Sequence, residues 1–280
     1  MTKIVNVMSF LPPASKYYNG KSRVETTYRI YQPDNTPDSH PVLVFLHGFN
    51  GSSKSWAYQF SHFVGHTIIA VDAPGFGGSQ TFEGDMSAVA DETAELIKSL
   101  VDKKVVIIGH SMGGMLGQVL AAKHANLCSA LILSCTHKGR AQPKDTPLDV
   151  ATMERIQQRN VLDDKEYGEL RVGKMLKGVI APDIFKFLTI VAGEIRVGGI
   201  RSGGLNMLNL DTTNLLSEIS IPTAIFTAEN DIVVSLEAAA ALKAGLPNAY
   251  KIQLSDVGHA PYCENATSFN AAIEKFIGTI

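Results

Sequence analysis

Ser111 stands in Gly109-His110-Ser111-Met112-Gly113, a G-x-S-x-G pattern between the apolar run Val105 to Ile108 and the apolar helical stretch Met115 to Ala122. A serine hydroxyl is a weak nucleophile at neutral pH and acts only beside a base. The flanks supply the geometry: a buried strand, a very sharp turn and a helix hold the hydroxyl exposed at the strand's C-terminal end. Small residues at 109 and 113 let strand and helix crowd together. The helix N-terminus adds partial positive charge where an oxyanion would form. The base is His259, which follows the last strand in Asp256-Val257-Gly258-His259, where Gly258 permits a tight turn. An imidazole in that role needs a carboxylate to fix its tautomer and stabilise the imidazolium. Asp231, Glu229, Asp256 and Asp72 compete for the place. Asp231 follows the apolar stretch Pro222 to Thr227, 28 residues before His259. Asp256 is too close along the chain to reach round the ring easily, Glu229 reads as solvated or a loop anchor, and Asp72 as an anchor of the Pro74-Gly75 turn. His40, His62, His66, His110, His124 and His137 read as structural or surface residues.

These groups need a scaffold, and the hydropathy pattern supplies one. Val42 to Leu46 and Thr67 to Val71 are continuous apolar runs, which must be covered on both faces and are therefore central parallel strands. Val105 to Ile108 and Leu131 to Leu133 continue the series, Pro222 to Thr227 resumes the sheet, and Tyr250 to Leu254 is a last strand. Val24 to Tyr31 alternates, which suits an antiparallel edge strand wet on one side. Ile4 to Phe10 is a further expected strand, and Asn19-Gly20 a tight turn. Ser87 to Leu100, Ser235 to Gly245 and Ser268 to Ile280 carry helical patterns. Strands alternating with helices imply an α/β fold with a mostly parallel sheet and right-handed crossovers. From about His137 to Asp211 the strands give way to helical stripes. Gly193, Gly198, Gly199, Gly203 and Gly204 then suggest a flexible mouth.

Taken together, His47-Gly48, Asp72-Ala73-Pro74-Gly75-Phe76-Gly77, Gly109-His110-Ser111-Met112-Gly113-Gly114, Glu229-Asn230-Asp231 and Gly258-His259-Ala260-Pro261 resemble, in that order, the α/β-hydrolase fold superfamily. The resemblance implies an eight-stranded, mostly parallel sheet flanked by helices. It implies a core domain of residues 1–136 and 214–280 and an inserted helical cap or lid, 137–213. The order serine, acid, histidine expected of this fold selects Asp231, since the preceding strand ends Ser134-Cys135-Thr136-His137 without a carboxylate. The fold also implies an oxyanion hole made by the backbone N–H groups of Met112 and Phe49. Ser-Met-Gly-Gly-Met-x-Gly-Gln looks most like the enol-lactone hydrolases and their esterase relatives. Serine matches poorly with haloalkane dehalogenases and epoxide hydrolases, which use aspartate, and Gly109-His110 differs from the Gly-Asn common in meta-cleavage C–C hydrolases. The expected activity is hydrolysis of a carboxylic ester or lactone of a small apolar or acidic substrate. The rivals are C–C hydrolysis of a β-diketone-like substrate and a slow-turnover ligand receptor.

Trp56, Met112, Phe185, Phe187, Leu188, Leu205 and Leu208 are candidates to line an apolar acyl pocket, with Arg196 and Arg201 candidates to meet a substrate carboxylate. The 280 residues are 45% hydrophobic with a net charge of −2, enough for a sizeable core and without polyanion-binding character. No glycine-rich phosphate loop, metal-ligand spacing or nucleic-acid stripe appears in the sequence, and the chemistry needs no cofactor. Apolar runs fall short of a membrane span, and Asn6, Ser9, Pro12 and Pro13 interrupt the one early apolar stretch. Cys128, Cys135 and Cys263 read as reduced thiols. The two glycosylation sequons, at Asn50 and Asn265, read as chance. These features suit a cytoplasmic enzyme, monomer or homodimer, acting on a small molecule.

Overall fold

The computed structural model describes residues 7–35, 37 and 39–280. Among them eight strands form one sheet: β1 Ala14–Asn19, β2 Val24–Tyr31, β3 Val42–Leu46, β4 Ile68–Val71, β5 Val105–His110, β6 Cys128–Ser134, β7 Thr223–Ala228 and β8 Tyr250–Leu254. Their order is β1-β2-β4-β3-β5-β6-β7-β8. The pairs β1/β2 and β2/β4 are antiparallel and the rest parallel. The helices are α1 Ala57–His62, α2 Met86–Leu100, α3 Met112–Lys123, α4 Val150–Val161, α5 Asp164–Met175, α6 Pro182–Gly193, α7 Val197–Asn209, α8 Leu236–Gly245, α9 Pro261–Glu264 and α10 Ala266–Ile277.

The period of two along each strand sorts the core into two layers. Val44, Leu46, Ile69, Val71, Ile107 and Leu133 point into the layer that α2, α3 and α8 cover. Their neighbours Phe45, Ile68, Ile108, Ile132 and Phe226 point into the layer under α1 and α10. The continuous apolar strands are thus buried on both faces. The chain leaves β3 for β4 on one side, then crosses back to β5 on the other. That reversal opens a crevice beyond the C-terminal ends of β3 and β5, where ligands bind in sheets of this kind.

Three expectations meet a different structure. Val24–Tyr31 is antiparallel as expected but not an edge strand, because β1 and β4 pair with it on either side. Of Ile4 to Phe10, residues 4–6 lie outside the described residues, and Val7–Phe10 form a 3₁₀ turn. The first strand is instead Ala14–Asn19, an edge strand with Lys16 and Tyr18 facing outward, whose polar content hides it from a hydropathy reading. It turns at Gly20 into β2, as the Asn19-Gly20 pair suggests. The glycine-rich stretch, expected as a flexible mouth, is regular in structure. It lies largely in α7, a continuous helix. A Cβ on Gly199 would strike the Gly75 backbone, and one on Gly203 the Phe49 ring. The glycines therefore serve close approach of this helix to the core. Four helices, α4 to α7, fill the chain between β6 and β7. Among the described residues no helix is long and apolar enough to cross a membrane.

Candidate active site

β5 ends at His110 and α3 begins at Met112, so Ser111 alone makes the turn, at φ 52° and ψ −117°. That backbone conformation is costly for a residue with a side chain and persists only where its surroundings enforce it. Here the Ser111 N–H donates to the Ser134 carbonyl at 2.9 Å, and Thr136 Oγ1 donates to the Ser111 carbonyl at 2.6 Å. The crowding expected at the two glycines is real. A Cβ on Gly109 would collide with the Gly113 carbonyl, and one on Gly113 with that of Leu46.

His259 Nε2 lies 3.1 Å from Ser111 Oγ, and its Nδ1 lies 3.0 and 2.9 Å from the two Asp231 oxygens. An ionised carboxylate only accepts, so Nδ1 carries the proton and Nε2 is left to accept the Ser111 O–H. The side chains of His259 and Asp231 are each 5% exposed. Burial pushes the Asp231 carboxyl up, but the bond to His259, its charge, and the N–H groups of Val234 and Val233 outweigh it, so the pKa falls below the usual range. Those two N–H groups donate to Oδ1 at 3.0 and 2.8 Å and aim the carboxylate. Asp256 and Asp72 are placed elsewhere. Asp256 is exposed, its N–H bonded to Glu229 at 3.1 Å. Asp72 accepts from the N–H groups of Ser53 at 2.5 Å and Gly78 at 3.1 Å, tying the turn after β4 to the loop after β3.

The histidine loop has a brace that the sequence does not advertise. Glu264 accepts from the N–H groups of Gly258 at 3.0 Å and Ala260 at 2.8 Å, the residues on either side of His259. Glu264→Ala leaves both donors without that acceptor, at about 1–3 kcal/mol each when buried. The expected result is a melting temperature several degrees lower and a kcat lower by about tenfold, the scale of a ring held slightly off line. Thermal melts and steady-state kinetics check it.

No intramolecular hydrogen bond occupies the backbone N–H of Phe49 or Met112 among the described residues. Both residues border the Ser111 turn, one after β3 and one at the start of α3. The loop after β3 is held by His47, whose Nε2 accepts the Ala73 N–H at 2.9 Å while Nδ1 donates to the Gly48 carbonyl at 2.8 Å. Because Nε2 accepts, the ring is neutral, and burial, which lowers its pKa, acts in the same direction.

Ser111 and His259 open into a cavity of about 130 Å³, walled by Phe49, Met115, Met175, Leu188, Val233 and Tyr262, among others. Of the predicted lining residues, Leu188 is there. Trp56 is not: it is fully buried in the layer below, its ring 4.8 Å from Phe45 and 5.2 Å from Tyr262. Phe185 packs, half-buried, into the layer under α1 and α10, and Phe187 stands edge-on to Tyr58. Leu208 is buried but does not wall the cavity. Leu205 and Arg201 line an outer groove beside Phe82 and Lys144. Arg196 turns to the carbonyl of Ser79. Met112 borders a separate, small apolar pocket of about 20 Å³ with Phe76 and Leu116. The cations that do face the cavity are Arg140, Arg155, Arg171 and Lys174. Arg140 lies in the loop after β6, while Arg155, Arg171 and Lys174 look on the chain like the polar faces of ordinary surface helices, and only the packing of α4 and α5 turns them inward.

Cys135 Sγ, an Asp231 oxygen and a His259 nitrogen lie within 4.8 Å of one another. They suit a metal ion poorly, because Asp231 and His259 are bonded to each other. Burial first, and the Asp231 charge next, keep the Cys135 thiol protonated.

The alpha/beta hydrolase fold profile matches residues 41–266. The chain belongs to that family. It is 28% identical over 277 residues to the 2-hydroxy-6-oxononadienedioate/2-hydroxy-6-oxononatrienedioate hydrolase of Klebsiella pneumoniae, covering 90% of this chain and 91% of that one. The thermophilic esterase of Thermogutta terrifontis superposes with a TM-score of 0.76 at 25% identity, over 95% and 98% of the two chains. The enol-lactonase of Burkholderia xenovorans LB400 does so at 0.78 and 20% identity, over 95% and 100%.

Proposed function

We propose that this α/β-hydrolase cleaves a carboxylic ester or lactone through an acyl-enzyme. The observation that carries the reading is the continuous line from Asp231 through His259 to Ser111 Oγ, ending in a cavity beside two free N–H donors. His259 takes the Ser111 proton as Oγ attacks the carbonyl carbon. The tetrahedral oxyanion is held by the N–H groups of Phe49 and Met112, donors fixed in place before the charge develops. His259 then returns the proton to the leaving oxygen, and water repeats the sequence to free the acid. The helices from 137 to 213 act as the cap that walls the substrate cavity. Oxygen leaving groups depart readily, and the likeness to the Thermogutta esterase supports this choice. The likeness to the Klebsiella hydrolase favours a second reading, C–C cleavage of a vinylogous diketone by the same three residues.

A fluorophosphonate is expected to label one serine per chain, mapped by peptide mass spectrometry to Ser111. Turnover of 4-nitrophenyl esters and lactones should exceed that of vinylogous diketones at equal concentration. Label on another serine overturns the nucleophile, and diketone turnover alone replaces the ester reading by the second.

A further inference from the structure

Two guanidinium groups face the candidate catalytic cavity without a carboxylate partner. Arg171, on α5, is 3% exposed, and donates from Nη2 to Gln158 Oε1 at 2.8 Å. Its Nε has no partner. Arg155, on α4, donates from Nη1 to Asn50 Oδ1 at 3.2 Å and lies over the Phe49 ring at 5.0 Å. Both are steered by neutral amide oxygens, which orient a cation without cancelling its charge. The acids on α4 and at its start do not cancel it either. Asp149 caps the helix and pairs with Arg140, and Glu154 is exposed. Arg159, the next arginine on α4, shows the contrast: it pairs with Asp164. Lys174, exposed at the rim one turn beyond Arg171, makes no ion pair among the described residues.

Holding unpaired like charges in a partly desolvated cavity costs stability, so such groups collect where a ligand supplies the opposite charge. Guanidinium forks match a carboxylate in two parallel hydrogen bonds and remain charged at any pH the protein meets. The strand order gives the direction. The Phe49 loop follows β3, on one side of Ser111, while Asp231 and His259 come from β7 and β8 on the other. A leaving oxygen must lie against His259 to take its proton. The arginine that stacks on Phe49 therefore faces the acyl side.

Resting on the hydrolase reading above, we infer that Arg155 and Arg171, with Lys174 at the rim, form an anion subsite that selects substrates carrying a carboxylate on the acyl group, such as a monoester of a dicarboxylic acid. The neutral partners Asn50 and Gln158 set the two forks, and the apolar walls Met175 and Leu188 accept the methylenes between the carboxylate and the reacting carbonyl.

The test compares mono-4-nitrophenyl adipate with 4-nitrophenyl hexanoate, equal in acyl carbons and leaving group, and adds 4-carboxyphenyl hexanoate against phenyl hexanoate. The wild type is expected to favour adipate over hexanoate by at least about tenfold in kcat/KM, mainly through KM, the scale of one charge-assisted contact. Arg155→Met and Arg171→Met are each expected to bring that ratio close to one, and Arg155→Lys to keep most of it. Arg171 is deeply buried, so the Arg155 pair carries the test if Arg171→Met fails to fold. Calorimetric titration with adipate itself reads the subsite without turnover: wild type binds, and Arg155→Met binds about tenfold more weakly. A wild-type ratio near one, or one that Arg155→Met leaves unchanged, overturns the subsite. A gain for the carboxylated phenol instead of adipate overturns the acyl-side assignment. Arginine-dependent adipate binding without turnover of either ester leaves the subsite standing and rejects the ester reading.

Discussion

Ser111→Ala is expected to lower kcat on an ester substrate by about 10⁵–10⁶, the scale set by removing the nucleophile of a serine hydrolase. The melting temperature should move by no more than a few degrees. The side chain makes a single hydrogen bond, to His259 Nε2, and contributes nothing to the turn, which is fixed by backbone bonds to Ser134 and Thr136. Alanine meets the same strain at φ 52° that serine does, so the elbow itself persists. Substrate binding should survive, because the cavity walls and the two N–H donors are untouched. The expected signature is normal folding, substrate affinity within a few-fold of wild type, and loss of fluorophosphonate labelling. A folded Ser111→Ala protein that keeps more than about one per cent of its kcat makes Ser111 a bystander, since residual catalysis without the nucleophile lies far lower.

What the sequence disclosed and what it withheld follow one physical line. Ser111, Asp231 and His259 each sit within a few residues of the C-terminal end of a strand, and a parallel sheet brings those ends to one edge. Position along the chain therefore translates directly into position in space, and the structure gathers the three side chains. Glycines 109 and 113 were legible for a related reason: strand, turn and helix are consecutive, so their packing is local. The cavity walls depend on something else. Whether Leu188 or Phe185 faces the substrate is decided by how α6 rolls on its neighbours, and both belong to the same apolar stripe. Trp56 and Arg196 drew attention by size and charge, yet one is core and the other reaches the carbonyl of Ser79. Arg155 and Arg171 carry no local mark, because a charged helix face reads as solvated until another helix is laid across it. Gln158 and Asn50 then reveal their use by what they fail to neutralise.

Asp231→Asn keeps the shape of the acid and removes its charge. The amide offers a donor where the carboxylate only accepts, so the His259 tautomer with its proton on Nε2 is favoured, and that ring no longer accepts the Ser111 proton. In serine proteases the equivalent change costs on the order of 10⁴ in kcat, about 5 kcal/mol of barrier. A loss of about 10³–10⁴ is therefore expected here, recovering in part at high pH where hydroxide replaces the base. Asp256→Asn should cost less than about tenfold, since that side chain is exposed and remote from the ring, and surface changes of this kind rarely matter. Stability supplies an independent readout. The folded Asp231 carboxyl has a depressed pKa despite its burial, so its ionisation stabilises the fold above the unfolded value near pH 3.9. That contribution is complete at neutral pH and is lost as pH falls through the folded value. Asp231→Asn should thus melt below wild type at pH 7, and the gap should close on acidification below about pH 4. Kinetics of the two asparagine variants, with melts from pH 3 to 8, test both halves. A near-wild-type rate for folded Asp231→Asn would remove Asp231 from the catalytic line, and a melting gap that widens in acid would mean that its charge does not stabilise the fold.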